Sequence, residues 1–343
     1  MHYVRLGKTE LMVNRNGFGA LPIQRIPERD AVRIMHRAFD NGVNYYDTAR
    51  FYTDSEHKVG VAFAERRDQV IISTKTGATD VTGFWKDLST SLRELDTDYI
   101  DLYQFHNLKF VPKPNDGTGL YEAMLDARKE GKIRHIGLTN HRLTLALDAV
   151  NSGLYETLQF PLSYLSTDDE LKLVPFCAQL DVGVIAMKAL AGGLINDAAT
   201  AYAFLAQFPN VEPIWGIQRD RELDDFIACG ESEPRLTPER EARIRRDREE
   251  LKGEFCRGCG YCMPCPAGIE INNCARMTLM LRRAPLEVYL TEDFRDKMDK
   301  IPGCLNCGRC KSKCPYHLDI PNLLKRNLSD FDSFWAKKMA AQP

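Results

Sequence analysis

Eight of the eleven cysteines of this 343-residue chain fall in two short runs. The first, CRGCGYCMPCP, places Cys256, Cys259, Cys262 and Cys265 ahead of Pro266, and the second, CLNCGRCKSKCP, places Cys304, Cys307, Cys310 and Cys314 ahead of Pro315. Thiolates are the ligands of iron–sulfur clusters. A C-x2-C-x2-C loop wraps three of them around one cluster, and the cysteine before the proline reaches over to a second cluster. The second run has the full C-x2-C-x2-C-x3-C-P spacing, whereas the first is one residue short in its last gap. The spacing predicts two [4Fe–4S] clusters, one on Cys256, Cys259, Cys262 and Cys314, the other on Cys304, Cys307, Cys310 and Cys265. Zinc is the rival, because paired C-x2-C units also build four-cysteine zinc sites. A zinc ribbon, however, separates its pairs by a loop and does not step four cysteines in a row. Cys177 and Cys229 sit in apolar, helix-like surroundings and read as buried structural thiols, and so does Cys274 beside the first run.

A second group of residues has the types needed for proton chemistry. Asp47, Lys75, His106 and Asn140 each end a strand-like segment, and Tyr52 lies in the loop just after Asp47. Any one of them has a bland reading, as a helix cap, a solvated lysine, a core histidine or a packed aromatic. Converging on one rim of a barrel, they are hard to assign to packing, since that rim carries the active site in such folds.

The elements that must position them alternate along the first two thirds of the chain. RNGFGAL, GVNYYDTA, VIISTKT, YIDLYQFH, HIGLTN, TLQFPLS, GVIAMKAL and PIWGIQ read as strands, each followed by a segment of helical period. Apolar strands alternating with amphipathic helices predict a parallel sheet, and eight such units predict an α/β (β/α)8 TIM barrel. The opening YVRLGKTELMV reads as a hairpin ahead of it. The expected organisation is a barrel over 1–235, a charged helical connector over 236–253, a small α-helical ferredoxin-like domain over 254–325, and a tail over 326–343. A net charge of −2 argues against a nucleic-acid or membrane-surface partner. There is neither a signal-like start nor an apolar run of membrane length, so a cytoplasmic location is expected.

The stretches GVNYYDTARFY, DSEHKVG, STKTG, DLYQFHN, GKIRHIGLTNH and GVIAMKALAGG, in that order, resemble an aldo-keto reductase over residues 1 to about 230. With the cysteine tail the chain is similar to a prokaryotic branch of that family carrying a ferredoxin-like 2[4Fe–4S] domain. The resemblance implies a catalytic tetrad of Asp47, Tyr52, Lys75 and His106, with Tyr52 donating a proton to a carbonyl oxygen as hydride arrives at carbon. It places Thr139, Asn140 and Gln159 at the nicotinamide amide and Tyr164, loosely, at the stacking position. It places Lys188, Gly216, Gln218, Arg219 and Glu222 further along the cofactor. NADPH and NADH stand level, because Glu222, Asp224 and Asp225 crowd Arg219 and Arg221. Phe51, Phe84, Trp85 and Tyr103 are possible substrate-lining aromatics, Trp85 foremost.

The expected function is therefore an oxidoreductase exchanging hydride between NAD(P)H and a carbonyl or alcohol, its clusters serving electron transfer or structure. A small-molecule substrate and a ferredoxin-type electron partner are expected. Hydride moves two electrons and a cluster one, and no flavin motif is present. Two alternatives follow: a cluster-dependent reductase of an activated C=C or C–O bond working without nicotinamide, and a non-catalytic electron-transfer subunit.

Overall fold

The structure is a computed structural model that describes residues 3–251, 255–283 and 286–340. By contacts it divides into one unit of Met1–Ala189 with Ala198–Arg240 and a second of Leu190–Asp197 with Glu241–Pro343.

The first unit opens with an antiparallel hairpin, β1 (Tyr3–Arg5) and β2 (Met12–Asn14). Eight parallel strands follow: β3 (Gly17–Gly19), β4 (Tyr45–Asp47), β5 (Ile71–Thr76), β6 (Ile100–His106), β7 (Ile133–Thr139), β8 (Thr157–Pro161), β9 (Gly183–Met187) and β10 (Val211–Gly216). They pair in chain order and close, β10 against β3, into the expected barrel. The connecting helices are α1 (Glu28–Asp40), α2 (Ser55–Phe63), α3 (Val81–Glu94), α4 (Leu120–Lys129), α5 (Leu143–Ser152), α6 (Asp168–Gln179), α7 (Ala198–Leu205) and α8 (Asp220–Ser232).

Local chemistry explains these boundaries. Helix α1 buries Ala31, Ile34, Met35 and Ala38, the i, i+3, i+4, i+7 stripe of a helix laid on a sheet. Asp80 accepts the Gly83 N–H and starts α3, and a reciprocal Thr167–Glu170 capping box starts α6. Strand β6 is buried along its whole length, as a strand covered on both faces must be. Val4, Leu6 and Val13 of the hairpin pack with Tyr45, Leu102, Ile185 and Ile214 and close the N-terminal end of the barrel with apolar atoms. Successive side chains point to opposite faces of a strand. The polar inward positions Asp47, Ser73, Lys75, Gln104 and Gln159 are thereby gathered further along the strands.

The second unit is helical: α9 (Pro238–Glu250), α10 (Ile271–Cys274), α11 (Met277–Arg283), α12 (Leu286–Tyr289), α13 (Glu292–Met298), α14 (Arg309–Lys313) and α15 (Ile320–Ala340). Its core gathers Ile269, Ile271, Met277, Leu281, Leu324 and Phe331 around Cys256, Cys262, Cys274 and Cys314. The segments read above as connector and tail share in this unit. Asp247 of α9 is buried and takes Arg283 Nη2 at 2.8 Å. On α15, Asn327 Oδ1 accepts from Thr278 N at 2.8 Å, and its Nδ2 donates to Ala275 O at 3.2 Å. Among the described residues no helix is long and apolar enough to cross a membrane.

Helix α2 crosses the C-terminal end of α3 so closely that a Cβ on Gly60 would sit 2.6 Å from Glu94 O and 2.8 Å from Leu95 O. Backbone atoms cannot yield there as a side-chain tip can. Gly60→Ala is expected to cost about 1–3 kcal/mol of stability, read as a lower urea midpoint with an unchanged denaturant slope.

Candidate active site and cluster-binding cysteines

Lys75 is inward-facing on β5 and only 1 % exposed. Its Nζ lies 2.7 Å from each carboxylate oxygen of Asp47 on β4 and donates to the Thr48 carbonyl at 2.5 Å. Burial lowers its pKa, and the charge and hydrogen bonds of Asp47 oppose that shift. An ammonium removed from water requires such a partner.

Two residues hold the Asp47 carboxylate in turn, and a third braces them. Ser73 Oγ donates to Oδ1 at 3.0 Å and Gln159 Nε2 to Oδ2 at 3.2 Å. Gln104 Nε2 donates to both Ser73 Oγ and Gln159 Oε1 at 2.8 Å. The ladder sets this arrangement, since Asp47 stands opposite Ser73, Lys75 opposite Gln104, and Thr139 opposite Gln159.

The other two members of the expected tetrad lie beside this pair. Lys75 Nζ is 5.5 Å from the centre of the Tyr52 ring. The His106 ring stands edge-on to Tyr52 at 5.9 Å between centroids. Burial first, and the Lys75 charge second, push the His106 pKa down to about 3. Its imidazole is neutral at ordinary pH. The loop carrying Tyr52 is itself pinned. Arg50 forms a buried ion pair with Glu56, whose Oε1 also accepts from Thr74 Oγ1 at 2.6 Å and Ser91 Oγ at 2.7 Å. The Arg50 N–H donates to Lys75 O at 3.1 Å.

The residues matched to the cofactor fall into two groups. Thr139, Asn140 and Gln159 are buried at the strand ends. Asn140 Nδ2 donates to Leu108 O at 2.9 Å and its Oδ1 accepts from Arg142 N at 2.9 Å, while Gln159 is bound to Asp47 and Gln104 as described. Tyr164 is fully buried and edge-on to Phe204. Lys188 follows β9 with a left-handed φ of 56°.

At the far end, Gly216 closes β10 and Gln218, Arg219 and Glu222 form the start of α8. The Glu222 carboxylate accepts from the Gln218 N–H at 2.8 Å and the Arg219 N–H at 3.1 Å, so it caps the helix. Asp220 is taken by Arg33 at 2.7 Å and Arg37 at 3.3 Å, and Arg37 also binds Asp224. Arg219 and Arg221 are exposed and have no carboxylate partner among the described residues. Of the acids that crowd them in sequence, Glu222 is held by backbone N–H groups and Asp224 by Arg37 of α1, whereas Asp225 is exposed.

The aromatics sort differently from expectation. Phe84 and Tyr103 are fully buried, and Trp85 lies against Phe84 with Lys132 Nζ 5.2 Å from its ring. Phe51, 63 % exposed, is the one at the site, 5.6 Å from the His106 ring. Its ring rests on Gly77, where a Cβ would lie 2.1 Å from it.

The cysteines of the second unit form two groups. Cys256, Cys259 and Cys314 lie near enough to Cys262 to disfavour its thiolate, although burial is the main cause of its rise to about 12. Cys304 and Cys307 act likewise on Cys310, again behind burial. A small pocket lined by Cys265, Cys304, Cys307 and Cys310 also touches Cys262, which brings the two groups together. Packed thiols of this kind are favoured as thiolates by a cationic centre, so the donor set fits two clusters. Among the described residues no three His, Cys, Asp or Glu side chains are close enough to hold a single metal ion. Cys274 is fully buried, its Sγ 3.6 Å from Lys297 O, and burial pushes its thiol up to about 12.

Comparison with known proteins agrees with this geometry. Residues 15–212 match the aldo/keto reductase family, and residues 255–319 match a 4Fe-4S dicluster domain. An uncharacterized oxidoreductase, YrpG, of Bacillus subtilis is 31% identical over 230 residues, covering 58% of this chain and 69% of that protein. The L-galactose dehydrogenase of Arabidopsis thaliana is 32% identical over 212 residues, covering 56% of this chain and 66% of that enzyme. In structure, an aldo-keto reductase from Bacillus halodurans in its holo form superposes with a TM-score of 0.63 at 24% identity, over 72% of this chain and 96% of that one, a likeness of fold. The chain belongs to the aldo/keto reductase family, and it is an oxidoreductase whose TIM barrel is followed by a 4Fe-4S dicluster domain.

Proposed function

We propose that the barrel reduces a carbonyl, or oxidises the matching alcohol, by hydride exchange with NADPH, with Tyr52 moving the proton. The observation that carries this reading is the buried Lys75–Asp47 pair set against the Tyr52 ring, with His106 edge-on to the same ring. The nicotinamide, when bound, supplies the hydride. Tyr52 Oη gives its proton to the substrate oxygen, and the Lys75 ammonium beside it stabilises the tyrosinate left behind. A phenol of ordinary pKa near 10 needs that help to act near neutrality. Neutral His106 has one ring N–H to donate to the substrate oxygen and orients it. Phe51 forms an apolar wall beside His106.

Arg219 and Arg221 at the start of α8 are suited to a 2′-phosphate, since Asp220, Glu222 and Asp224 are engaged elsewhere. Thr139, Asn140, Gln159, Lys188, Gly216 and Gln218 would hold the rest of the cofactor, Asn140 and Gln159 by exchanging their present partners. Those two engaged side chains favour a second reading as well: a reductase drawing electrons through the two clusters, with Tyr52 still the proton donor. In either case the clusters supply single electrons when bound.

Anaerobic turnover decides between the two. Under the first reading NADPH quenches or shifts its fluorescence on binding and supports carbonyl reduction. Silence toward NADPH together with turnover on a low-potential donor would establish the second. Tyr52→Phe is expected to lower turnover by at least about 100-fold while NADPH still binds. Replacing Arg219 and Arg221 with Ala is expected to raise KM for NADPH and leave that for NADH unchanged.

His106 adds a pH dependence. Its folded pKa, about 3, lies below the ordinary 6.5, so the unfolded chain takes up the proton first as pH falls. Stability present above pH 6.5 is lost progressively between 6.5 and about 3. Between pH 7.5 and 5 the native chain should lose about 2 kcal/mol more than His106→Asn does, read from urea unfolding at each pH.

A further inference from the structure

The two cysteine groups differ in exposure. In the first, Cys256, Cys262 and Cys314 are buried and Cys259 partly so. In the second, Cys307 is exposed and Cys265, Cys304 and Cys310 are partly so. Beside Cys307 stands Leu305, 67 % exposed, more than any other large apolar side chain described.

Charge is unevenly placed around these loops. The chain as a whole carries −2, yet residues 255–269 and 300–318 contain no Asp or Glu at all. They contain Arg257, Lys300, Arg309, Lys311 and Lys313. Arg309, Lys311 and Lys313, all exposed, follow Cys307 directly on α14. Lys311 has one carboxylate neighbour, Asp319 at 3.2 Å, and Lys313 Nζ reaches only the Met263 carbonyl at 3.5 Å. Compensation of an anionic cluster is the plainer explanation for cations here. It would be needed most at the buried group, where water does not screen, and Arg276 lies there near Cys256. At the exposed group solvent does that screening, and Arg309 and Lys313 remain without a carboxylate partner among the described residues, beside Lys311 with its Asp319.

We propose that the exposed face formed by Leu305, Cys307, Arg309, Lys311 and Lys313 is the docking surface for a small acidic one-electron carrier protein of the ferredoxin type. An apolar centre with a cationic rim is the complement of an acidic carrier, and such complementarity steers encounter. The carrier would give up one electron, departing oxidised by one, to the cluster that Cys304, Cys307, Cys310 and Cys265 would hold, which would be reduced by one. The proposal rests on the reading that both cysteine groups hold redox-active clusters.

The test uses the full chain with both clusters reconstituted anaerobically. Cluster bleaching is followed by stopped flow after mixing with a reduced acidic bacterial ferredoxin and, separately, with reduced methyl viologen. With ferredoxin, the second-order rate is expected to fall at least about tenfold from low to high salt. The triple variant Arg309→Glu, Lys311→Glu, Lys313→Glu is expected to be slower by a similar factor at low salt. The milder pair Arg309→Gln and Lys313→Gln, which leaves Lys311–Asp319 intact, should lose severalfold. Methyl viologen, a small cation, should reduce every variant without loss of rate, and unchanged iron content and EPR spectra show that the unit is intact. Equal ferredoxin rates in native chain and variants, or rates indifferent to salt, overturn the docking face while viologen reduction keeps the cluster reading. Clusters that viologen cannot reduce overturn both.

Discussion

The candidate active site depends on one costly fact, a lysine ammonium placed where water does not reach. At 1 % exposure Lys75 has no solvent to offset its charge, and a lone buried ion would shed its proton or destabilise the barrel. Asp47 answers that charge with both carboxylate oxygens at 2.7 Å, which only a neighbouring strand in fixed register can supply. Ser73 and Gln159 then donate to the carboxylate from two further positions on the same inner surface, and Gln104 braces both of them. Removing either member of such a pair strands the other, at a cost of about 3–5 kcal/mol. The ladder hydrogen bonds, the apolar plug below and the polar group above are therefore one construction.

The same logic extends outward to the loop that carries Tyr52. Strand β5 alternates, so Ser73 and Lys75 face the barrel lumen while Thr74 faces the helices. Thr74 meets Glu56 there, and Glu56 in turn holds Arg50 two residues before Tyr52. One strand thus fixes both sides of the site, the ammonium directly and the phenol through a buried ion pair on its opposite face. Ser91 of α3 joins the same carboxylate, which ties the loop to a helix as well.

The barrel was legible because eight apolar strands at regular spacing with helical periods between them leave few other solutions. Asp47, Lys75 and His106 were legible as candidates because they lie at or next to the ends of those strands, and Tyr52 because it follows Asp47 in the adjoining loop. What escaped was whatever depends on the third dimension. Ser73 and Gln104 look like ordinary strand residues until register sets Ser73 beside Asp47 and Gln104 beside Lys75. Glu222 and Asp224 look like acids guarding a ribose until the first turn of α8 claims the one and Arg37 of α1 the other. Trp85 looked like a substrate contact because it begins a helix near the rim, but helical phase turns it toward Phe84 and Lys132. Phe51, next to Tyr52 in sequence, is at the site because Gly77 leaves room for its ring. The cysteine spacing, by contrast, carried its own geometry, since loop length fixes which sulfurs can meet.

That difference bears on how the two halves of the chain relate in chemistry. The barrel site is built to hold charge still: a paired lysine, a neutral histidine and a phenol, each locked by packing. The cysteine unit is graded, with one group closed off among Ile269, Ile271 and Met277 and the other open at Cys307. A purely structural staple has no reason for such a gradient, because burying both groups would protect both from loss of iron. Exposure of one group exposes it to oxidants and chelators, and that cost is offset only if the surface exchanges something with the outside. Electrons are what a cluster exchanges, one at a time, and under the proposed docking the cations Arg309, Lys311 and Lys313, with Asp319 beside Lys311, would favour an acidic carrier.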